Sequence, residues 1–165
     1  MKKLVMMMTM MLALLMGANA LADGPVLMVE LPEDAQMIEN VQFEDGDFIQ
    51  TYQLAGGVRV QILRYAAFDM TLEDLAEGEW TGCTDARAMA ITEVSGCPAQ
   101  GMRLQYTDDA GAEMTVCMIM VQAQGQTLLF TAVFPAEIGE AQIEAEMNAW
   151  LNTMCVSGLE DEEVG

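Results

Sequence analysis

The stretch DFIQTYQLAGGVRVQILRY at residues 47–65 decides the fold class. Two segments rich in β-branched and aromatic residues, 47–54 and 58–65, flank Ala55-Gly56-Gly57. Because glycine adopts the backbone conformations that a tight reversal requires, the pattern predicts a β-hairpin with residues 55–57 as its turn. The chain is therefore expected to contain an antiparallel sheet.

Further strands are predicted on both sides of this hairpin. A short strand spans Val26 to Leu31 and is stopped by Pro32, and residues 33–37 are expected to form a loop or a helical turn. Beyond residue 85, turn-prone connections separate four apolar segments and predict an antiparallel meander. Its strands are expected at residues 86–94, 101–107, 113–123 and 127–134.

Two helices complete the predicted elements. A hydroxyl at Thr71 is followed three residues later by the carboxylate of Asp74, a helix-start pattern that predicts a short helix from Leu72 to about Glu77. Residues 140–154 carry apolar side chains at helical spacing and predict an amphipathic helix that closes the core. The order of elements predicts an α+β fold, an antiparallel β-sheet meander with flanking helices and a C-terminal amphipathic helix packed on the sheet.

Residues 1–22 have the pattern of a signal peptide. Two lysines precede an apolar run at residues 4–16, and small residues at 18–20 or 20–22 offer a cleavage site, with the cut before Asp23 favoured. The alternative is an uncleaved membrane anchor, but the run is shorter than the roughly 20 apolar residues of a spanning helix. The expected location is secreted or within the cell envelope, with no stable membrane insertion after cleavage.

The charge of the chain restricts its partners. After residue 22 the chain has four arginines, no lysine and 26 acidic residues, a formal charge of −22. Such a charge repels nucleic acid and anionic membrane surfaces and favours cations or basic partners. The simpler interpretation is that the acidity only keeps an exported protein soluble.

Four cysteines, Cys83, Cys97, Cys117 and Cys155, are an even number in an export context and predict two disulfides. In the predicted meander Cys97 and Cys155 fall at the same end, so their pairing is favoured, and Cys83 with Cys117 follows by elimination. A Cys83–Cys97 bond would have to span a strand of roughly 30 Å. The sequence alone leaves the connectivity open.

Catalytic chemistry finds little support in the sequence. The chain has no histidine, which excludes the Ser-His-Asp and Cys-His classes of hydrolase. It also lacks the commonest metal-binding side chain for the same reason. A hydrolase based on two carboxylates stays formally possible, although so many acids make any pairing uninformative. Residues 44–47 and the pair Asp108 and Asp109 could gather oxygens around Ca²⁺, but turns rich in Asp and Gly are the favoured interpretation. No catalytic, cofactor or metal site is assigned.

Three other features have a structural interpretation that outweighs a functional one. Met114, Met118 and Met120 share one strand face and could hold Cu(I), but core packing is favoured. Trp80 could be an exposed ligand anchor, or could close an edge of the core. Arg64 lies on an apolar strand face, so it is expected to pair with a carboxylate or to lie at the strand's end.

The order of elements resembles the PsbP-like family, the extrinsic photosystem II proteins and their exported bacterial relatives. The most similar stretches are VSGCPAQGMRLQY at residues 94–106, GQTLLF at 125–130 and Trp150-Leu151, and the similarity spans most of residues 26–155. The resemblance implies an α/β/α sandwich around an antiparallel sheet, and binding or assembly rather than catalysis. It implies no catalytic residue.

These observations predict a signal peptide at 1–22, a single PsbP-like α+β domain at 23–156 and an acidic disordered tail at 157–165. The predicted function is that of an exported, disulfide-bonded, non-catalytic binding domain that engages an extracellular protein or an envelope component. The alternative is a small-ligand or calcium-binding protein, and a carboxylate-based hydrolase comes third. A macromolecular binder should expose an apolar patch, and a ligand-binding protein should contain a pocket with convergent polar groups.

Overall fold

The computed structural model describes residues 24–44, 46–64, 71–77, 82–108 and 110–159. The predicted signal peptide, Trp80, Asp109 and most of the predicted tail lie outside the described residues. The strands are β1 Val26–Met28, β2 Gln36–Gln42, β3 Phe48–Gln53, β4 Arg59–Arg64, β5 Cys83–Met89, β6 Glu93–Val94, β7 Cys97–Thr107, β8 Glu113–Ala123, β9 Gln126–Pro135 and β10 Cys155–Ser157. The helices are α1 Leu72–Glu77 and α2 Glu140–Thr153, and Ala55–Gly57 forms a 3₁₀ turn.

The described strands form one large antiparallel sheet and one small one. The large sheet has the order β2-β3-β4-β9-β8-β7-β5, and β6 pairs with the start of β7. The small sheet is the antiparallel pair of β1 and β10, which joins the two ends of the described chain. The predicted hairpin is confirmed, because β3 and β4 pair continuously from Gln53–Arg59 to Phe48–Arg64 and Gly56 has a φ of 69° in the turn.

Several predicted boundaries are corrected. The loop or helical turn expected at 33–37 is wrong in part, since β2 begins at Gln36. The strand expected at 86–94 is two strands, β5 and β6. The strand β10 was not predicted. The strand expected at 101–107 begins earlier, because β7 starts at Cys97, and β8 has the predicted bounds of 113–123.

The C-terminal helix α2 covers one face of the sheet, here called the α2 face. Its buried residues Ile143, Met147 and Trp150 join a core that also contains Phe130 and Phe134 of β9. The ring of Trp150 lies 5.6 Å from that of Phe130 and 5.9 Å from that of Phe134, centroid to centroid. Aromatic burial of this kind contributes several kcal/mol and fixes the helix on the sheet.

The short helix α1 lies on the opposite face, here called the α1 face. Its Leu75 is fully buried among Met102, Leu104, Met120 and Leu129. The predicted start of the helix is confirmed, because the amide of Asp74 donates to the hydroxyl of Thr71 at 3.1 Å and the amide of Thr71 donates to Asp74 Oδ2 at 2.8 Å. Asp74 Oδ2 accepts hydrogen bonds from both the amide and the hydroxyl of Thr71, and these lower the pKa of Asp74. The fold is α+β and mostly β, with two described helices.

The structure also shows where Arg64 and the methionines of β8 lie. Arg64 is the last residue of β4, as expected, and its guanidinium donates to the carbonyl oxygens of Pro25 and Gly46. Met118 and Met120 lie in the core beside α1, as the packing interpretation predicts, whereas Met114 is half-buried and belongs to neither core. Neither helix in the described ranges has the length and apolar character needed to cross a bilayer.

Candidate functional site

The strand β2 exposes large apolar side chains. All seven of its residues are exposed. Met37, Ile38 and Val41 in the strand and Phe43 just after it are between 37% and 54% exposed. We call these four residues the edge patch. Met37 pairs with Tyr52, which packs on the α2 face, whereas Val41 pairs with Ile49 on the opposite face, so large apolar groups flank both faces of this strand. Four such groups within seven residues are more than the single exposed apolar residues that any surface carries.

The edge patch lies at the end of the large sheet. In the described part of the chain, β2 is hydrogen-bonded to β3 on one side and begins the strand order on the other. The outer backbone groups of an edge strand can pair with an added strand. The register shifts between Met37 and Glu39, so a bulge at Ile38 interrupts the strand and leaves Glu39 to Gln42 as its regular part.

Polar side chains on the α1 face hold β2 in place. Thr51 of β3 donates its hydroxyl to Glu39 Oε2 at 2.8 Å and accepts a hydrogen bond from Gln61 Nε2 at 3.3 Å. Thr51 is buried and Glu39 is exposed, so only the Thr51 side of this row of hydrogen bonds is shielded from water. The edge strand is thereby fixed to the sheet rather than loosely attached.

The surroundings of the edge patch are acidic. Residues 30–44 contain five acidic residues and no lysine or arginine. All five acidic side chains are exposed, and they are Glu30, Glu33, Asp34, Glu39 and Glu44. A patch with apolar side chains inside an acidic rim is complementary to a partner segment that carries apolar and basic residues.

The other edge of the sheet has a different chemistry. The exposed residues of β5 are polar, charged or small, and they include Asp85, Ala86, Arg87 and Ala88. Its register is interrupted between Thr84 and Arg87. Charges and irregular pairing are the devices by which sheet edges avoid unwanted association. Both edges have an interrupted register, and they differ in that β2 exposes large apolar side chains whereas β5 does not.

A cavity of about 360 Å³ lies between α2 and the sheet, at the far side from β2. Arg87 of β5 and Arg103 of β7 are Cα partners at this cavity, and Glu140 begins α2 beside them. Both terminal nitrogens of Arg103 donate to the carboxylate of Glu140, and Arg87 Nη2 lies 3.5 Å from Glu140 Oε1. The hydrogen bonds from Arg103 lower the pKa of Glu140, and Glu140 raises the pKa of Arg103.

Cys117 also lines this cavity. It is 1% exposed, and burial raises the pKa of its thiol to about 11, although the nearby arginines oppose the rise. The thiolate is the nucleophilic form of cysteine. Cys117 is therefore a neutral thiol near pH 7, and the cavity contains no activated cysteine nucleophile at that position.

All four predicted disulfide residues, Cys83, Cys97, Cys117 and Cys155, are free cysteines in the structure. Cys83 packs in the core beside α1 and Cys117 in the core beside α2. Their side chains therefore lie on opposite faces of the sheet, which argues against the pairing reached by elimination. Cys97 and Cys155 lie in neighbouring segments, because the amide of Val156 donates to the hydroxyl of Ser95 at 2.9 Å. Their pairing stays a prediction.

Of the acidic residues considered as alternative Ca²⁺ ligands, Glu44, Asp47 and Asp108 lie within the described residues, and Asp45 and Asp109 do not. In the described ranges, no group of three or more acidic, histidine or cysteine side chains could hold a metal ion. Asp47 is buried, and Asp108 Oδ1 accepts hydrogen bonds from the amides of Ala110 at 2.9 Å and Ala112 at 2.8 Å, which makes it a turn residue as favoured from the sequence.

The sequence prediction missed both the edge patch and the arginine pair. Met37, Ile38, Val41 and Phe43 follow no strict alternation, so they gave no strand signal. The arginine pair had a signal that could have been used. Two of the four arginines after residue 22 lie on consecutive segments of the predicted meander, where they could become neighbours.

Comparisons with known proteins give distant similarities. No protein-family model matches the chain, and a search of curated proteins finds no match. The structure is similar to LpqN, involved in cell envelope biogenesis of Mycobacterium tuberculosis, with 14% identity, a TM-score of 0.47, and coverage of 81% of this chain and 84% of that one. It is also similar to PA94, a protein of unknown function from Pseudomonas aeruginosa, with 15% identity, a TM-score of 0.46, and coverage of 77% of this chain and 92% of that one.

Proposed function

We propose that this chain is an exported, non-catalytic binding domain of the PsbP-like type, and that it engages an extracellular or envelope protein through β2. The observation that supports the proposal is the edge patch, four exposed apolar side chains on and beside an edge strand. The partner would add an extended segment to the edge of the sheet. Backbone hydrogen bonds would supply affinity, and alternate side chains would supply specificity.

The charge of the chain favours a different protein over a second copy as the partner. Two copies that met edge to edge would bring two acidic rims together. Each chain has a formal charge of −20, or −22 without residues 1–22. Repulsion between like charges disfavours that encounter. An extended segment with apolar residues flanked by lysine or arginine is complementary to both the edge patch and its rim.

The regular part of β2 sets the length of the recognised segment. Beyond the bulge at Ile38, Glu39 to Gln42 pair with β3 without interruption. Val41 points to the same face as Glu39, because side chains alternate along a strand. The added strand would therefore place its own side chains beside Val41 and close to Phe43.

A photo-crosslinking experiment tests this proposal. A photoreactive amino acid replaces Val41 in the edge patch or, as the control, Ala86 on the opposite edge, and the full chain is expressed in its native host. We expect adducts with a partner protein from position 41 and not from position 86. Adducts of equal yield from both edges, or adducts only between copies of this chain, would contradict the proposal.

A binding measurement with the captured partner then tests the mechanism. Lysine on an edge strand disfavours strand addition, so Ile38→Lys is expected to weaken binding at least tenfold. The matched control Ala88→Lys places the same charge on the opposite edge and should bind as the unsubstituted protein does. Both substitutions are at exposed positions and should change the free energy of unfolding by less than about 0.5 kcal/mol. Binding should also slow amide hydrogen exchange in β2.

A further inference from the structure

The cavity between α2 and the sheet has a polar end and an apolar wall. Its polar end carries Arg87 and Arg103, and Ile143, Met147 and Leu151 belong to its apolar lining. We infer that this cavity binds a medium-chain carboxylate. The carboxylate contacts the two arginines, and the alkyl chain lies along the apolar side chains of α2. The site is separate from the edge patch and goes beyond the proposed protein-binding function.

The paired arginines explain why an anion belongs at this position. Arg87 and Arg103 stand directly opposite each other on neighbouring strands, an arrangement that is unfavourable for like charges. The Glu140 carboxylate contacts both guanidinium groups. Asp85 is a weaker neighbour, with its Oδ2 3.9 Å from Arg87 Nη2 at the exposed edge of the sheet.

Without ligand, the Glu140 carboxylate occupies the position that the ligand carboxylate would take beside the two arginines. Its side chain is a carboxylate on an alkyl stem, which is the chemistry of the proposed ligand. It is 56% exposed at the first residue of α2, so it can turn toward solvent. The Arg103 side chain is only 12% exposed, so a ligand that displaces Glu140 has to supply a carboxylate of its own to Arg103.

The rest of the cavity favours an uncharged chain. Ile143 and Met147 are nearly fully buried, and Cys117 beside them is a neutral thiol. The volume of about 360 Å³ is at the low end of small-molecule sites. A chain of octanoate size fits this space better than a long-chain lipid. The acidic chain also disfavours ligands with several negative charges.

Calorimetric titration of the mature protein with butanoate, hexanoate and octanoate tests the inference. Each added methylene should tighten binding about fourfold, which corresponds to the burial of one methylene group. The neutral analogue 1-octanol should bind at least tenfold more weakly than octanoate, because it lacks the charge that the arginines recognise. Equal affinity for the acid and the alcohol, or no binding of octanoate, would overturn the inference.

Two matched variants test the role of Glu140. Glu140→Ala removes the competing carboxylate and should tighten octanoate binding at least fivefold. Glu144→Ala removes the same charge one turn along α2, where the residue lines the cavity but forms no ion pair with Arg87 or Arg103, and should have a smaller effect. Equal effects of the two variants would show that only the overall charge matters and would overturn the site.

A third variant tests the arginines. Arg103→Gln should weaken octanoate binding at least tenfold, and thermal melting checks that it folds. If Arg103→Gln is unfolded, Arg87→Gln at the exposed edge replaces it and should weaken binding at least threefold. Unchanged affinity in the folded variant overturns the inference. These results are independent of crosslinking at Val41, because β2 and the cavity lie at opposite ends of the sheet.

Discussion

Ser95 and Val156 are joined by a hydrogen bond across 61 residues of sequence, since the amide of Val156 donates to the Ser95 hydroxyl oxygen at 2.9 Å. Ser95 belongs to the turn between β6 and β7, and Val156 is the middle residue of β10. The contact places the residue after Cys155 against the turn that precedes Cys97. The two cysteine-bearing segments are therefore neighbours in the folded chain.

This relationship predicts that oxidation of the folded protein joins Cys97 to Cys155 and leaves Cys83 and Cys117 as thiols. A loop of this length gives a stabilisation on the order of 4 kcal/mol when the bond is unstrained. Intact mass after alkylation under denaturing conditions, followed by peptide mapping, identifies the bond. The free energy of unfolding with and without reductant measures its effect.

Single substitutions provide the control for this prediction. Cys97→Ser and Cys155→Ser should each abolish the bond and remove the effect of reductant, whereas Cys83→Ser should leave both unchanged. A bond between Cys83 and Cys117 would contradict the register of the sheet, because these two side chains lie on opposite faces.

Local patterns were sufficient to predict much of this fold. The two glycines between β3 and β4 predict a reversal whatever the rest of the chain does. The hydroxyl of Thr71 satisfies the amide of Asp74, so the start of α1 is also encoded within four residues. The apolar spacing of α2 predicts its buried face, and Ile143, Met147 and Trp150 are buried as that spacing requires.

Features that depend on distant pairing could not be predicted in the same way. β2 has no buried face, so it lacks the alternation that reveals a strand, and its position at the edge depends on β4 pairing with β9. The strand β10 is three residues long and exists through its pairing with β1. The faces of Cys83 and Cys117 depend on the register of β5, β7 and β8, because a shift of one residue exchanges the two faces.

Alkaline unfolding should report on Cys117. Burial raises its pKa from 9.0 to about 11, so the folded state favours the neutral thiol. The stability associated with this shift is fully present below pH 9 and is lost as the pH rises from about 9 to 11, because the unfolded chain releases the proton first. The loss amounts to at most about 3 kcal/mol.

Comparison with Cys117→Ala isolates this contribution. Chemical denaturation at a series of pH values should show a smaller decrease in stability above pH 9 for the variant than for the unsubstituted protein. The pKa of Tyr52 is also raised by burial, and its contribution is common to both proteins. Parallel curves for the two proteins would show that Cys117 ionises equally in the folded and unfolded states.

Protonation of Glu140 should contribute to the loss of stability at low pH. The hydrogen bonds from Arg103 hold the pKa of Glu140 below its usual value. The stability linked to this shift is present above the unfolded pKa and is lost as the pH falls through the lower folded pKa. Thermal melting between neutral pH and about pH 2 should therefore show a smaller acid-induced decrease in Tm for Glu140→Gln than for the matched control Glu144→Gln. Identical decreases would contradict the assignment.

Trp150 should be the strongest single attachment of α2 to the sheet. It is 3% exposed and packs its ring against both Phe130 and Phe134, so its removal leaves a cavity that the rigid sheet cannot fill. Trp150→Ala is expected to lower the free energy of unfolding by about 3 to 5 kcal/mol. The control Asn152→Ala changes an exposed residue of the same helix and should cost less than about 0.5 kcal/mol. Similar losses for the two variants in urea denaturation would mean that α2 is held by its helical character rather than by the aromatic contact.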